Sequence, residues 1–131
     1  MPRMADPLQV QRANTVLYCA RWNATVAFYR DVLGLTVGFA NDWFVEFRVG
    51  ESAFVSIVDA SRATIESANG HGITLTWQVA DIDASYEMLS GLGVELTPIR
   101  FRWGARVCYL HDPEGHRIEL WTPDAGGAPV D

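Results

Sequence analysis

The sequence predicts an α+β fold in which two repeated β-α-β-β-β modules form a curved, cup-shaped eight-strand mixed sheet with both helices on the convex side. Three observations predict it. The same order of alternating and helical segments occurs twice along the chain. The two copies keep a constant spacing: an offset of 60 takes Asn14 to Thr74, Ala24 to Ala84 and Thr25 to Ser85, and one of 59 takes Leu33-Gly34-Leu35 to Leu92-Gly93-Val94. Each helix has a single apolar stripe, Val26, Tyr29 and Leu33 in the first and Ile82, Tyr86, Leu89 and Leu92 in the second, so each covers one sheet face and leaves the other open.

Taken in order, the first module predicts a strand from Asn14 to Ala20, a helix from Asn23 to Leu33 closed by Gly34, and strands over Leu35–Ala40, Trp43–Val49 and Ala53–Val58. Asn41-Asp42 and Gly50-Glu51 supply the turns between them. The second predicts strand Thr74–Ala80, helix Ile82–Leu92 closed by Gly93, then strands Val94–Pro98, Ala105–Leu110 and Arg117–Trp121. Asn23 and Asp81 stand where N-caps belong, and Gly34 and Gly93 supply the left-handed residue that ends a helix. A strongly twisted sheet with helices outside must curl, and its concave side becomes a cavity.

A chain of 131 residues fits one domain, here residues 1–131, with module one at 14–60, a polar linker at 61–72 and module two at 73–123. A domain of that size buries roughly two-thirds of the surface its unfolded chain exposes, so folding requires no metal or disulfide. Ten basic against 16 acidic residues leave a net charge of −6, which repels phosphate backbones and excludes nucleic acid as a partner. No apolar run is long enough to cross a bilayer, so a membrane is excluded too. Met1-Pro2-Arg3-Met4-Ala5-Asp6-Pro7 has no apolar stretch behind a basic end and reads as no secretion signal. Cys19 and Cys108 lie in apolar strands and read as reduced, buried thiols of a cytoplasmic protein.

The chemistry centres on Glu119. It lies between Ile118 and Leu120, so alternation puts it on the opposite face from both, with Trp121 beside it. A carboxylate there needs a cation, a donor, water or a raised pKa, because burying it bare costs several kcal/mol. Arg106 and Arg117 are the nearby cations that could hold it structurally. The three histidines do not converge: His71 is in the Gly-rich linker, His111 just before Asp112 and His116 in the turn, and all three are expected in solvent. There is no Gly-x-Ser-x-Gly, no phosphate loop and no Cys-x-x-Cys, so covalent catalysis has no candidate.

With the duplicated unit, Phe28-Tyr29-Arg30-Asp31-Val32-Leu33-Gly34-Leu35, the Trp103-Gly104 loop and Asp112-Pro113-Glu114-Gly115 running into Ile118-Glu119-Leu120, the chain resembles the vicinal oxygen chelate superfamily over about Asn14 to Pro123. Its members include glyoxalases, extradiol dioxygenases and bleomycin-resistance proteins. Metal-dependent members place four ligands on the cavity face, and register carries these positions to Asn14, Ser56, Thr74 and Glu119. Histidine is usual at two of the four, and this chain has neither. One carboxylate, one carboxamide and two hydroxyls offer a divalent ion little charge or basicity.

The resemblance therefore implies a glyoxalase- or bleomycin-resistance-like protein that holds a small organic molecule, aromatic or cationic, in its cavity as a homodimer, with no cofactor expected and a divalent metal disfavoured. Asn14, Tyr18, Phe54, Ser56, Thr74, Gln78, Trp103 and Trp121 are its expected ligand-binding residues, with Trp77 packed in the core. The alternative is a metal-dependent lyase, isomerase or dioxygenase with Glu119 as catalytic base or ligand and Asn14 as second ligand.

Overall fold

The computed structural model describes residues 6–124. The opening segment read above for a secretion signal lies mostly outside them, at residues 1–5. Eight strands arise in the expected order: β1 (Ala13–Cys19), β2 (Val37–Ala40), β3 (Phe44–Arg48), β4 (Ala53–Asp59), β5 (Thr74–Gln78), β6 (Arg100–Arg102), β7 (Ala105–His111) and β8 (Arg117–Pro123). They form two four-stranded mixed sheets, β1-β4-β3-β2 and β5-β8-β7-β6, each with one parallel pair and antiparallel pairs beyond it. The repeat is thus a repeat of topology: β1 pairs with β4 as β5 pairs with β8. No ladder joins β1 to β5 among the described residues.

Helix α1 (Trp22–Ala27) continues into a π-helical turn at Phe28–Val32, and helix α2 spans Ile82–Gly91. Their stripes pack on one face of each sheet, except Leu92, which follows α2 and is 57% exposed. Val26 and Tyr29 join Leu17, Val45, Phe47, Val55 and Ile57, while Ile82 and Leu89 join Leu75, Cys108, Leu110, Ile118 and Leu120, all in one continuous core. Burying each large member contributes about 1.5–3 kcal/mol. Tyr29 crosses between modules, stacking on Phe47 at 5.9 Å and meeting Trp77 edge-on at 6.5 Å. Trp77 accordingly packs against the core, as its parity with Leu75 requires. Both cysteines are buried free thiols.

Three local expectations change. Asn23 does not cap α1; it lies within the helix, and the Ala20 and Arg21 amides that precede it donate instead to the two Glu114 carboxylate oxygens at 2.8 Å each. A side chain 94 residues away in sequence thus holds the chain where it enters α1, and its charge suits the positive end of the helix dipole. Asp81 does cap α2, accepting from the Ala84 amide at 3.1 Å. The strand expected at Val94–Pro98 forms later, at Arg100–Arg102. Pro98 has no N–H for a ladder, whereas Trp103 and Gly104, both with positive φ (50° and 74°), make the tight two-residue turn that closes a β6–β7 hairpin.

The third change is His116, which is buried rather than solvated. Its Nδ1 lies 2.8 Å from Asp112 Oδ2, an oxygen that also accepts from the Tyr29 hydroxyl at 2.8 Å. Asp112 Oδ1 accepts the Glu114, Gly115 and His116 amides. The 112–116 turn is therefore a buried lock that ties β8 to the first helix. The linker closes over it, with Gly70 packed against Gly115 so tightly that a Cβ would meet the Gly115 backbone at 2.1 Å. No helix among the described residues is long and apolar enough to cross a membrane.

Candidate functional site

The faces that the helices leave bare carry most of the polar residues singled out above. On sheet one, Asn14 is exposed and its Oδ1 accepts from the buried Ser56 hydroxyl at 2.9 Å. The β1–β4 register sets Val16 opposite Ser56, just as β5–β8 sets Thr76 opposite Glu119, so Ser56 and Glu119 occupy equivalent places in the repeat. Phe54 is buried under two guanidiniums, Arg12 at 3.8 Å from its ring centre and Arg48 at 5.2 Å, and Arg12 also pairs with Glu46 at 3.0 Å. Tyr18 is half-buried beside the linker, in a cleft with Ile65 and His116.

On sheet two, Glu119 is half-buried with its carboxylate turned away from the core. Thr76, its neighbour on β5, donates a hydroxyl to it, and so does Tyr109, its neighbour on β7. Burial, and then the hydrogen bond to this carboxylate, raise the Tyr109 pKa above the usual phenol value. Neither arginine considered for Glu119 holds it. Arg106 points to the helix side and pairs with Asp83 through two 2.7 Å bonds. Arg117 donates through Nε to Thr74 Oγ1 at 2.9 Å and lies 4.6 Å over the Tyr109 ring.

Gln78 lies opposite the half-buried Trp121 at the far end of the β5–β8 ladder. Trp103, at the hairpin tip, is 78% exposed. Where β1 and β5 approach, Phe54, Thr74 and Gln78 border a cavity of about 390 Å³ together with Thr15, Thr76 and Trp77. The expected residues thus gather as two groups, Asn14 with Ser56 and Phe54, and Thr74 with Gln78, Glu119 and Trp121. The cavity touches both, and Glu119 stands one strand away from it. Thr76 and Tyr109 were missed, and Arg117 was considered only as a structural partner of Glu119. The turn at 112–115 could have revealed Tyr109, because counting outward from it pairs His111 with Arg117 and Tyr109 with Glu119.

The four positions matched to metal ligands fit a divalent ion poorly. Asn14 Oδ1 is engaged by Ser56, and the one carboxylate is engaged by Thr76. Among the described residues no three His, Cys, Asp or Glu side chains gather. Hydroxyls and a carboxamide supply too little charge to replace the water of a divalent ion.

A family model described as Glyoxalase/Bleomycin resistance protein/Dioxygenase superfamily matches residues 11–120. The chain is 29% identical over 110 residues to the uncharacterized protein YraH of Bacillus subtilis (strain 168), covering 74% of this chain and 86% of that one. Its fold is similar to that of a lactoylglutathione lyase from Agrobacterium tumefaciens, with a TM-score of 0.71 at 23% identity over 94% of this chain and 100% of the other. It is equally similar to TnmS3, an antibiotic binding protein from Streptomyces sp. CB03234, with a TM-score of 0.74 at 20% identity over 92% and 99%. A lyase and a binding protein share this architecture, so the fold alone leaves open whether a reaction occurs.

Proposed function

The chain belongs to the glyoxalase/bleomycin resistance protein/dioxygenase superfamily, and from that premise we propose that it binds a small organic molecule without a tightly held metal. The observation that carries this is the Glu119 carboxylate, held by the Thr76 and Tyr109 hydroxyls on a helix-free sheet face. The two arginines nearest in sequence are engaged elsewhere, Arg106 by Asp83 and Arg117 by Thr74, so neither neutralises it. Thr74 and Gln78 carry the polar surface from Glu119 to the cavity beside β1, and Trp121 offers an aromatic ring for stacking. Asn14, Tyr18, Phe54, Ser56 and Trp103 complete the proposed site from sheet one and the β6–β7 hairpin.

The same faces support a homodimer as part of this proposal. In one chain the helix-free faces have no cover, and the large apolar side chains Phe39 and Trp103 are 54% and 78% exposed. A second copy laid against them would close the site. The two buried free thiols support a cytoplasmic setting.

The test is a screen of small organic molecules against the intrinsic tryptophan fluorescence of the wild type, repeated with Glu119→Ala and Trp121→Phe. We expect at least one compound class to change the signal and both variants to weaken it. A broad library that leaves the spectrum unchanged refutes the proposal. An enzyme using Glu119 as base has one observation in its favour, since two hydroxyls on one carboxylate orient it and offer a route for its proton. Product formation from a bound compound, abolished in Glu119→Gln, would establish it.

A further inference from the structure

Thr74 and Arg117 also border a second cavity, of about 430 Å³, at the end of β5 nearest the linker. Its other lining includes His71, His111 and the backbone of Gly70, Gly72 and Gly115. Its ionisable side chains are one arginine and two histidines, with no carboxylate among them, in a protein whose net charge is −6. The arginine is held in place by the Thr74 hydroxyl on its Nε and by the Tyr109 ring beneath it. Its terminal nitrogens meet no carboxylate among the described residues, although acids outnumber bases in this chain. Arg12, Arg30, Arg62 and Arg106, by contrast, are ion-paired.

The cross-strand register adds to the charge. Antiparallel partners share a face, so Arg100 opposite Val107 and Arg102 opposite Ala105 join Arg117, Tyr109 and Glu119 on the same side of sheet two. Arg100 and Arg117 set two guanidiniums beside the Glu119 carboxylate on that face. An anion gains there, whereas a cation would meet only Glu119, whose oxygens already accept from Thr76 and Tyr109.

We propose that the cavity bounded by Arg117, His71 and His111 is an oxyanion subsite, taking the carboxylate or phosphate of the ligand whose remainder reaches Glu119. This rests on the small-molecule reading above and narrows it: the ligand is an organic acid, and the aromatic or cationic character expected from sequence keeps only its aromatic half. Arg117 and Glu119 are two residues apart on one strand face, which separates them by about 7 Å. A planar guanidinium fixes the acid group by paired hydrogen bonds. A hydroxyl or amine on the ligand, roughly that far from the acid, then donates to the Glu119 carboxylate.

The experiment titrates the full chain by calorimetry and amide NMR with three probes of similar size: 4-hydroxybenzoate, phenyl phosphate and benzylammonium. We expect at least one of the two anions to bind about ten-fold tighter than the cation, the loss expected for one charge-assisted contact. The amides of 70–72, 111 and 117 should shift with it. Whichever anion is preferred identifies the oxyanion taken. Arg117→Gln should remove most of the preference, and the double variant His71→Gln/His111→Gln should reduce it while its melting temperature stays near wild type. Equal affinity, preference for the cation, or an anion preference that survives both variants overturns the subsite but leaves a small-molecule binder in place. Failure of all three probes to bind also overturns it, and the fluorescence screen then decides the broader proposal by itself.

Discussion

Replacing Glu114 with alanine should loosen the joint between the two modules. Its side chain is 4% exposed and accepts the Ala20 and Arg21 amides at 2.8 Å each, together with the Ser67 hydroxyl. Alanine leaves two amides at the start of α1 without an acceptor. An abandoned, partly buried donor costs about 1–3 kcal/mol, and two are abandoned here. Since these overlap, the change should cost about 2–4 kcal/mol. For a domain of this length that lowers Tm by roughly 8–16 °C, taking about 4 °C per kcal/mol.

The same contact fixes a pH dependence. Burial alone would raise the Glu114 pKa, but the Ser67 hydroxyl, the two amides and His116 nearby outweigh it, so the folded value lies below the ordinary 4.5. A carboxyl lowered on folding stabilises above its unfolded pKa and loses that contribution as pH falls through the folded value. Wild type should therefore lose stability relative to Glu114→Ala as pH drops below about 4.5, and the two should converge in acid. Differential scanning calorimetry of both proteins at pH 7 and across pH 3–5 measures this. A Tm change under about 3 °C at pH 7, or a gap that widens in acid, would refute the idea that this carboxylate anchors the chain entering α1.

Two further predictions concern packing and thiols. Gly70→Ala should destabilise by about 2–4 kcal/mol, because its φ is +80° and the new Cβ would strike the Gly115 backbone, while Gly91→Ala, with open space around it in α2, should be neutral or stabilise by up to about 1 kcal/mol; urea denaturation of the pair checks the contrast. Burial pushes the Cys19 thiol up to about 12 and Cys108 up to about 11, so a thiol-reactive disulfide reagent at pH 8 should label neither in the folded protein and both in denaturant; rapid labelling of the native chain would contradict their burial.

The repeat was legible because it is written locally. Strand alternation, the stripe residues Val26, Tyr29, Ile82 and Leu89 and Asp81 as a cap depend on residues within a few positions of each other, and they are found where the pattern put them, whereas Leu92 of the second stripe is exposed. What escaped depends on distant neighbours. Glu114 holds the Arg21 amide 93 residues away, an arrangement that no local pattern around Asn23 encodes. His116 looked like a turn residue in solvent, but Asp112 and the linker enclose it once the modules fold together.

Glu119 was found by its isolation among apolar residues, which is a property of its own strand. Thr76 and Tyr109, which bond to it, sit on adjacent strands, and only the ladder register brings them together. Asn14 and Ser56 were matched by family pattern, and here register also makes Ser56 the counterpart of Glu119. The strand placed at Val94–Pro98 failed for a local reason that was visible, since Pro98 cannot join a ladder and Trp103-Gly104 is a hairpin turn.

The most direct test is the unfolding temperature measured side by side with the organic acids above and with zinc, nickel, manganese and ferrous ions, in wild type and Glu119→Ala. A ligand present at about 100 times its Kd stabilises the fold by about 2.7 kcal/mol. We predict that an organic acid raises the wild-type temperature by several degrees and does less for the variant, while each metal leaves it unchanged within about 1 °C. A rise of several degrees with a metal, lost in Glu119→Ala, would contradict metal-free binding at this face.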